Sequence, residues 1–324
     1  MAFWYSKNIW AYLLLPLTAL FALITAFRRL AYRCHWLKSE HVGVPTIVVG
    51  NLSVGGNGKT PVVIWLCEQL TAAGFKPGVI SRGYGGKAPH YPYLVEPNTT
   101  GAQAGDEPVL IYHRCQCPVA VSPNRIEAAK LLRKTHQVDV IIADDGLQHY
   151  ALQRDIELVV VDGERRYGNA WLLPSGPLRE SKARLAKVDV VINNGGQAEA
   201  GEVSMSLVAG SPLPVTASVA EFDKACHGNS INACAGIGHP PRFFRTLLGL
   251  GFEVEKQVPF ADHHGFNEAE IQALEQARPL FMTEKDAVKC RDFALTQSWY
   301  LPVSASINES VANQIIAKIR ETTC

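Results

Sequence analysis

Short β-branched runs alternate with stretches of helical spacing along most of the chain. Before residue 200, apolar runs predict strands at residues 46–49, 78–81, 118–121, 138–143, 156–161 and 188–193. Apolar residues recurring every three or four positions predict helices at 61–73, 124–134 and 180–187. This alternation is typical of βαβ units and predicts an α/β fold, with a parallel sheet covered by helices on both faces.

A glycine-containing polar stretch at 193–202 interrupts the alternation, and a second unit follows it. Strands are predicted there at 215–219, 231–235, 252–258, 280–283 and 300–303. Asn267 and Glu270 have the spacing of a capping box, which predicts a helix from there to about residue 277. We therefore divide the chain into an N-terminal segment at 1–38, a core domain at 39–200 and a smaller α/β domain at 201–324.

The N-terminal segment is apolar. Residues 9–27 carry no formal charge, and a helix of that length reaches across a hydrocarbon core of about 30 Å. Basic residues flank the run, namely Lys7 before it and Arg28, Arg29, Arg33 and Lys38 after it. This bias places the body of the protein in the cytoplasm and argues against a cleaved signal peptide. A spanning helix, a helix lying on the membrane surface and a buried core helix all stay open, and Pro16 is placed to kink the run.

The amino-acid composition excludes several classes of protein. The 324 residues are 47% hydrophobic and 19% charged, with 31 basic residues against 30 acidic ones. This balance excludes a disordered chain and argues against nucleic acid as a partner. The eight cysteines are scattered, without the spacing of a zinc site, and indicate reduced thiols in a cytosolic compartment. No pattern predicts a protein partner.

Residues 50–61 read GNLSVGGNGKTP between a predicted strand and a predicted helix, where a phosphate-binding loop belongs. The glycines let backbone N–H groups turn toward a β-phosphate, Lys59 reaches the β and γ oxygens, and the Thr60 hydroxyl is suited to Mg²⁺. Ser53 stands where the G-x-x-x-x-G-K-[ST] pattern has its first glycine, which is a mild departure. We predict nucleoside triphosphate binding by Ser53, Val54, Gly55, Gly56, Asn57, Gly58, Lys59 and Thr60.

Residues 138–145 read VDVIIADD, an apolar run that ends on two carboxylates. A buried parallel strand delivers such a pair to the sheet edge that also holds the phosphate loop. One of Asp144 and Asp145 is then expected to hold Mg²⁺, directly or through water, and the spacing does not decide which.

Seven motifs occur in a fixed order: GNLSVGGNGKTPV, SRGYGG (81–86), GDEP (105–108), DDGLQH (144–149), GPLRE (176–180), ADHHGF (261–266) and TEKDAVK (283–289). In this order the chain closely resembles, over essentially its whole length, the tetraacyldisaccharide 4′-kinases of lipid A biosynthesis. The resemblance implies a P-loop NTPase-type core and ATP-dependent phosphorylation of the 4′-hydroxyl of a tetraacyldisaccharide 1-phosphate, giving lipid IV-A. It also implies ATP and Mg²⁺ as cofactors and a place at the cytoplasmic face of the inner membrane.

The resemblance also assigns a base. A kinase needs a group that accepts the proton of the acceptor hydroxyl, and Asp106, in a predicted Gly-Asp-Glu-Pro turn, is the candidate. His263 matches the histidine of the family that would orient Asp106 and tune its basicity. The two residues lie on opposite sides of the predicted boundary, so this pair requires the two domains to close on each other.

Further roles follow from matched positions. Glu107 is expected to support Mg²⁺ together with Asp144, and Arg125 and Arg179 to contact phosphate of ATP or of the substrate. On spacing alone, Arg125 fits a solvated helix face equally well. Nucleotide or sugar contacts are expected for Gln148 and His149.

Other interpretations stay open. The SRGYGG segment reads as a mobile lid or as a plain surface turn, and GIGHP (236–240) as a structural turn that resembles an anion nest. The main alternative function is a membrane-associated ATPase switch of the partitioning type. Those proteins carry a signature lysine before the two glycines, where this chain has Val54, so the kinase is favoured.

Overall fold

The computed structural model describes residues 2–6, 8–223 and 228–323, so Lys7, Cys226 and Cys324 lie outside the described residues. The strands are β1 (Thr46–Gly50), β2 (Pro77–Ser81), β3 (Tyr93–Leu94), β4 (Val119–Val121), β5 (Val140–Asp144), β6 (Ile156–Asp162), β7 (Val190–Asn194), β8 (Glu202–Ala209), β9 (Leu213–Pro214), β10 (Ser230–Ala235), β11 (Glu253–Pro259), β12 (Leu280–Thr283), β13 (Ser298–Leu301) and β14 (Val303–Ile307). The α-helices are α1 (Ile9–Leu13), α2 (Leu15–Arg33), α3 (Lys59–Ala72), α4 (Gly101–Ala104), α5 (Asp106–Cys115), α6 (Arg125–His136), α7 (Pro240–Gly249), α8 (Glu268–Glu275), α9 (Glu284–Cys290) and α10 (Glu309–Thr323).

Two sheets organise these elements. The larger sheet has the order β14-β8-β7-β6-β1-β5-β2-β4-β3, and among its described strands the two at the edges, β3 and β14, pair antiparallel. The smaller sheet has the order β11-β10-β12-β13-β9, with β9 antiparallel to β13. The predicted α/β class with a parallel sheet core is confirmed.

The central strands are buried on both faces, as their continuous apolar sequences require. Helices α3, α5 and α10 cover one face of the larger sheet and α6 covers the other. Helix α3 is buried on most of its circumference, as Val62, Val63, Ile64, Trp65 and Leu66 show. A helix that is apolar nearly all round must be enclosed, and this packing fixes the residues at its first turn.

The larger sheet does not stop at the predicted boundary after residue 200. Strand β8 pairs in parallel with β7, and the chain returns to this sheet with β14 and α10. The reason is that Val311, Ile315 and Ile319 line one face of α10 and pack into the core of the larger sheet. The division 39–200 and 201–324 therefore needs this correction, because residues 202–209 and 303–323 lie with the first unit.

Three further predictions about local structure change. Residues 215–219 form no strand, and the short β9 precedes them. Residues 180–187 form no α-helix but contain the 3₁₀ helix Lys182–Lys187. The N-cap at Asn267 is confirmed by the Glu270 N–H, which donates to Asn267 Oδ1 at 2.9 Å, but the Glu270 carboxylate pairs with His264 Nε2 at 3.0 Å instead of closing the capping box.

The N-terminal apolar run divides into α1 and α2 at Leu14, and Pro16 occupies the first turn of α2. Proline is tolerated there because the first turn has no intrahelical partner for its missing N–H. Within α2 one side chain, Ala31, is buried, so the interpretation of this run as a core helix is wrong. Among the described residues α2 is the one helix long and apolar enough to cross a membrane.

Helix α2 nevertheless rests on the body of the protein along one side. The Thr18 hydroxyl donates to Ser175 Oγ at 2.7 Å, and Arg29 Nη1 lies 3.7 Å from Glu180 Oε2. The opposite side carries large apolar side chains that are largely exposed: Leu17, Leu20, Ile24 and Phe27.

Candidate active site

The phosphate loop connects β1 to α3, and hydrogen bonds within the loop and from β7 fix its conformation. Gly58 is the N-cap of α3 in the left-handed region, at φ 92°. A Cβ on Gly58 would lie 2.3 Å from Asn194 Nδ2, which donates to the Asn57 carbonyl at 2.9 Å. The Asn57 amide in turn donates to Ser53 Oγ at 2.9 Å. The serine at the first glycine position of the motif therefore serves as an internal hydrogen-bond partner of the loop.

A second contact to the loop comes from Arg165, which sequence reasoning missed. Its guanidinium donates to the Gly56 carbonyl at 2.5 Å and to Asp162 Oδ2 at 3.0 Å. Gly238, in the GIGHP turn of the second unit, packs against the same place, because a Cβ there would lie 2.5 Å from the Gly56 nitrogen. This turn, interpreted from sequence as structural, therefore braces the phosphate loop.

The two aspartates at the end of β5, Asp144 and Asp145, lie in different surroundings. Lys59 Nζ is 3.6 Å and Arg179 Nη1 3.1 Å from the Asp145 carboxylate. Burial alone would raise the pKa of Asp145, but these two cations hold it below its ordinary value. Asp145 adopts the left-handed conformation at φ 49°.

Asp144 is fully buried and pairs weakly. Its Oδ2 accepts a hydrogen bond from the Ser81 hydroxyl at 3.3 Å, and its Oδ1 has no partner among the described residues. Burial, and then the negative charge of Glu107, raises the pKa of Asp144 to about 7. A buried carboxylate oxygen without a partner is costly and indicates that something positive belongs beside it.

Asp106 begins α5, so the predicted Gly-Asp-Glu-Pro turn is wrong: the motif is the first turn of a helix. The start of a helix stabilises a carboxylate through the free N–H groups and the helix dipole. Asp106 Oδ2 lies 3.3 Å from His263 Nδ1, and the Tyr84 ring packs edge-on against the imidazole. The structure therefore brings together the acid and the histidine expected from sequence, across 157 residues.

Lys285 completes this pair and was also missed. Its ammonium lies 3.0 Å from Glu107 Oε1, 3.3 Å from Asp262 Oδ1 and 3.2 Å from His263 Nε2. Because an ammonium only donates, we assign Nε2 of the imidazole as the acceptor and Nδ1 as the nitrogen that carries the proton donated to Asp106. The sequence signal was the TEKDAVK motif, for which no chemistry had been assigned.

The SRGYGG segment packs closely on the start of α5. Cβ atoms on Gly83 and Gly86 would lie 2.9 Å from the Ala104 carbonyl oxygen and 2.5 Å from the Gly105 nitrogen. The glycines therefore permit a close backbone approach that holds Tyr84 over His263, and the motion of this segment as a lid stays a prediction.

Three other predicted residues lie near the end of β5. Arg125 is buried, not on a solvated helix face, and burial followed by the charge of Arg82 lowers its pKa. Burial and the charge of Arg125 lower the pKa of His149 to about 4, so this imidazole is neutral at pH 7. Gln148 accepts from Arg179 at 3.4 Å and donates to Glu180 at 2.9 Å.

A cavity of about 660 Å³ opens beside the acid–histidine pair. Asp106, His263, Lys289 and Asn98 are among the residues that line it. It has the size of a small-molecule or headgroup site and adjoins the group expected to accept a proton.

Comparison with known proteins agrees with this geometry. The family model described as tetraacyldisaccharide-1-P 4′-kinase matches residues 10–320. The tetraacyldisaccharide 4′-kinases of Tolumonas auensis and Aeromonas salmonicida are 58% and 57% identical to this chain, over 98% and 99% of its length and 96% of each of theirs. A crystal structure described as the "apo" form of LpxK from Aquifex aeolicus in complex with ATP matches with a TM-score of 0.78 and 25% identity, over 95% of this chain and 99% of that one. The chain therefore belongs to the tetraacyldisaccharide-1-P 4′-kinase family.

Proposed function

We propose that the protein transfers the γ-phosphoryl group of ATP to the 4′-hydroxyl of a tetraacyldisaccharide 1-phosphate, giving lipid IV-A at the cytoplasmic face of the inner membrane. One observation carries the proposal: the Asp106–His263 pair and the phosphate-loop side of the site adjoin through Glu107. Glu107 pairs with Lys285 beside His263, and its charge acts on Asp144, which Lys59 opposes. This arrangement supports the proposal that Asp106 accepts a proton beside the γ-phosphate.

ATP is assigned to the phosphate loop. The backbone N–H groups of residues 53–60 would surround the β-phosphate, and Lys59 would leave Asp145 to contact the β and γ oxygens. The ATP complex named for the Aquifex aeolicus structure supports this assignment. Arg125 and Arg179 are the proposed phosphate contacts, since the charges of both aspartates act on Arg125 and Arg179 pairs with Asp145. For Gln148 and the neutral His149 we propose hydrogen bonds to the nucleotide or the sugar.

Mg²⁺ fits the same edge of the sheet. The buried Oδ1 of Asp144, which has no hydrogen-bond partner among the described residues, is a hard oxygen ligand, whereas Asp145 is already engaged by two cations. We therefore assign Asp144 as the direct ligand, with the Thr60 hydroxyl and Glu107 in support and Asp145 in the surrounding shell. The ion would spread the negative charge that develops on the transferred phosphoryl group.

In the transfer step Asp106 takes the proton of the acceptor hydroxyl. His263 holds the carboxylate through its Nδ1–H, and Lys285 keeps the imidazole in that tautomer. The phosphoryl group then passes to the hydroxyl oxygen in line with the departing ADP oxygen, and positioning supplies much of the rate.

Transfer of label from γ-³²P-ATP tests this function against the ATPase switch. Full-length protein in detergent micelles with the disaccharide 1-phosphate should place label on the lipid, in proportion to lipid added. Release of free phosphate stimulated by a protein partner, with no labelled lipid, would instead identify a switch of the partitioning type.

Lys285→Met should lower kcat about tenfold or more and leave the KM for ATP near its original value. The change removes the donor that fixes the His263 tautomer without touching the phosphate loop. Steady-state kinetics measures the split, and Lys285→Arg should recover part of the loss. Lys256→Met, on an exposed position of β11, serves as the matched control. If the loss in kcat were accompanied by a large drop in the unfolding midpoint, the role of Lys285 would be purely structural.

The exposed side of α2 is the proposed membrane contact, with the helix lying at the surface because its other side is held by the core. Leu20→Gln with Ile24→Gln should weaken sedimentation with anionic lipid vesicles at least about tenfold, since each large apolar side chain contributes about 1.5–3 kcal/mol on leaving water. Activity in detergent micelles should change little. Leu248→Gln, an exposed leucine on α7, is the control. Unchanged vesicle binding of the double variant would exclude this face.

A further inference from the structure

Three cysteines from two distant parts of the sequence meet in the larger core. Cys67 lies on α3, Cys115 ends α5, and Cys117 follows it before β4. Their Sγ atoms all lie within 4.8 Å of one another. All three are free thiols; Cys67 and Cys117 are buried and Cys115 is partly exposed. The interpretation of the cysteines as scattered holds for the sequence but not for the fold.

The backbone brings these thiols together in a defined way. Gln116, between Cys115 and Cys117, adopts the left-handed conformation at φ 51°, and its N–H donates to the Tyr112 carbonyl. This turn ends α5 and folds the chain back, so that both neighbouring side chains face Cys67. Two of the three ligands are thus fixed by one local turn, and the third comes from a helix packed against it.

We propose that Cys67, Cys115 and Cys117 form a binding site for one thiophilic d¹⁰ cation, Zn²⁺ or Cu⁺. Metal–sulfur bonds of about 2.3 Å place tetrahedral thiolate sulfurs about 3.8 Å apart, so shifts of about 1 Å or less close the site. Three S–H protons leave to solvent as three metal–sulfur bonds form. A planar three-thiolate set satisfies Cu⁺, and Zn²⁺ adds a water at the partly exposed Cys115 side.

The location gives the site a consequence for the kinase core. Cys67 lies eight residues beyond Lys59 on α3, about 12 Å along the axis. Cys115 lies nine residues beyond Asp106 on α5, about 14 Å along that axis. A bound cation would therefore join the helix that begins with the phosphate loop to the helix that begins with the base, without touching either reacting group.

Titration of the reduced, metal-free, full-length protein with Cd²⁺ under anaerobic conditions tests the site. We expect one equivalent of Cd²⁺ to produce a thiolate-to-metal charge-transfer band. Zn²⁺ and Cu⁺ should then displace the Cd²⁺, and their relative affinities identify the preferred ion. Cys67→Ser and Cys117→Ser should each weaken binding more than about a hundredfold, since even changes in the surrounding shell cost about 10–100-fold. Cys290→Ser, a buried thiol of the second unit, should keep the band.

The unmodified protein supplies a second measurement that does not depend on the variants folding. With Zn²⁺ at about a hundred times its Kd, the unfolding midpoint should rise by about 4 °C or more, and Cys67, Cys115 and Cys117 should resist alkylation while the exposed Cys34 reacts. No band with fully reduced thiols, a band that survives in both variants, or unhindered alkylation in the presence of Zn²⁺ would overturn the proposal.

Discussion

Replacing Lys59 by alanine should lower kcat/KM at least about a hundredfold, which corresponds to about 2.7 kcal/mol of transition-state stabilisation. The ammonium is positioned by the first turn of the buried helix α3, directly after the phosphate loop, and lies 3.6 Å from Asp145. Initial rates of lipid phosphorylation in micelles, over a range of ATP concentrations, measure the loss.

Lys134→Ala, on the exposed side of α6, is the matched control and should keep its activity. Unfolding midpoints of both variants establish that the fold is retained, which we expect because Lys59 contributes an ion pair and not core packing. If the Lys59 variant phosphorylated lipid at a near-normal rate, the phosphate loop would not be the site of catalysis.

Asp106→Asn should be the second large effect, with kcat reduced by about a hundredfold or more and the KM for ATP changed little. The amide fills the same space at the start of α5 and still bonds to His263, but it cannot accept a proton. Single-turnover transfer with saturating ATP isolates this step from substrate binding.

Asp292→Asn is a suitable control because Asp292 lines the same cavity without contacting His263 in the described structure. His263→Gln should lie between the two, at about tenfold, since the carboxylate remains while its orientation is lost. A fully active Asp106→Asn enzyme would mean that another group, or water, accepts the proton.

The parts of the site that sequence predicted are those built by local rules. The loop before Lys59 follows a strand and begins a helix within a dozen residues, and an apolar run ends directly at Asp144. Both features follow from the spacing of apolar residues, from the residue types that form turns, and from the fact that parallel strands end at the same edge of a sheet. The resemblance supplied Asp106 and His263, which no local pattern connects.

The parts that sequence reasoning missed depend on contacts between distant segments. Lys285 meets Glu107 across 178 residues, and Arg165 reaches Gly56 across 109. The return of β14 and α10 to the larger sheet was missed for the same reason. An alternating apolar pattern predicts a strand but does not specify which sheet that strand joins. The spacing of apolar residues identified the helices and strands. Which helix packs on which sheet is instead decided by how well their apolar faces fit together.

Helix α2 and the catalytic edge of the sheet are linked by a short chain of contacts. Glu180, beside Arg29 of α2, accepts hydrogen bonds from Tyr150 Oη at 2.7 Å and Gln148 Nε2 at 2.9 Å. These contacts connect the proposed membrane-contact side of α2 to the candidate site, so on that proposal we expect them to set the height of the site above the lipid headgroups. We therefore expect lipids to be selected by the distance between the sugar hydroxyl and the bilayer surface, because a longer or a shorter headgroup would not bring the hydroxyl to the γ-phosphate.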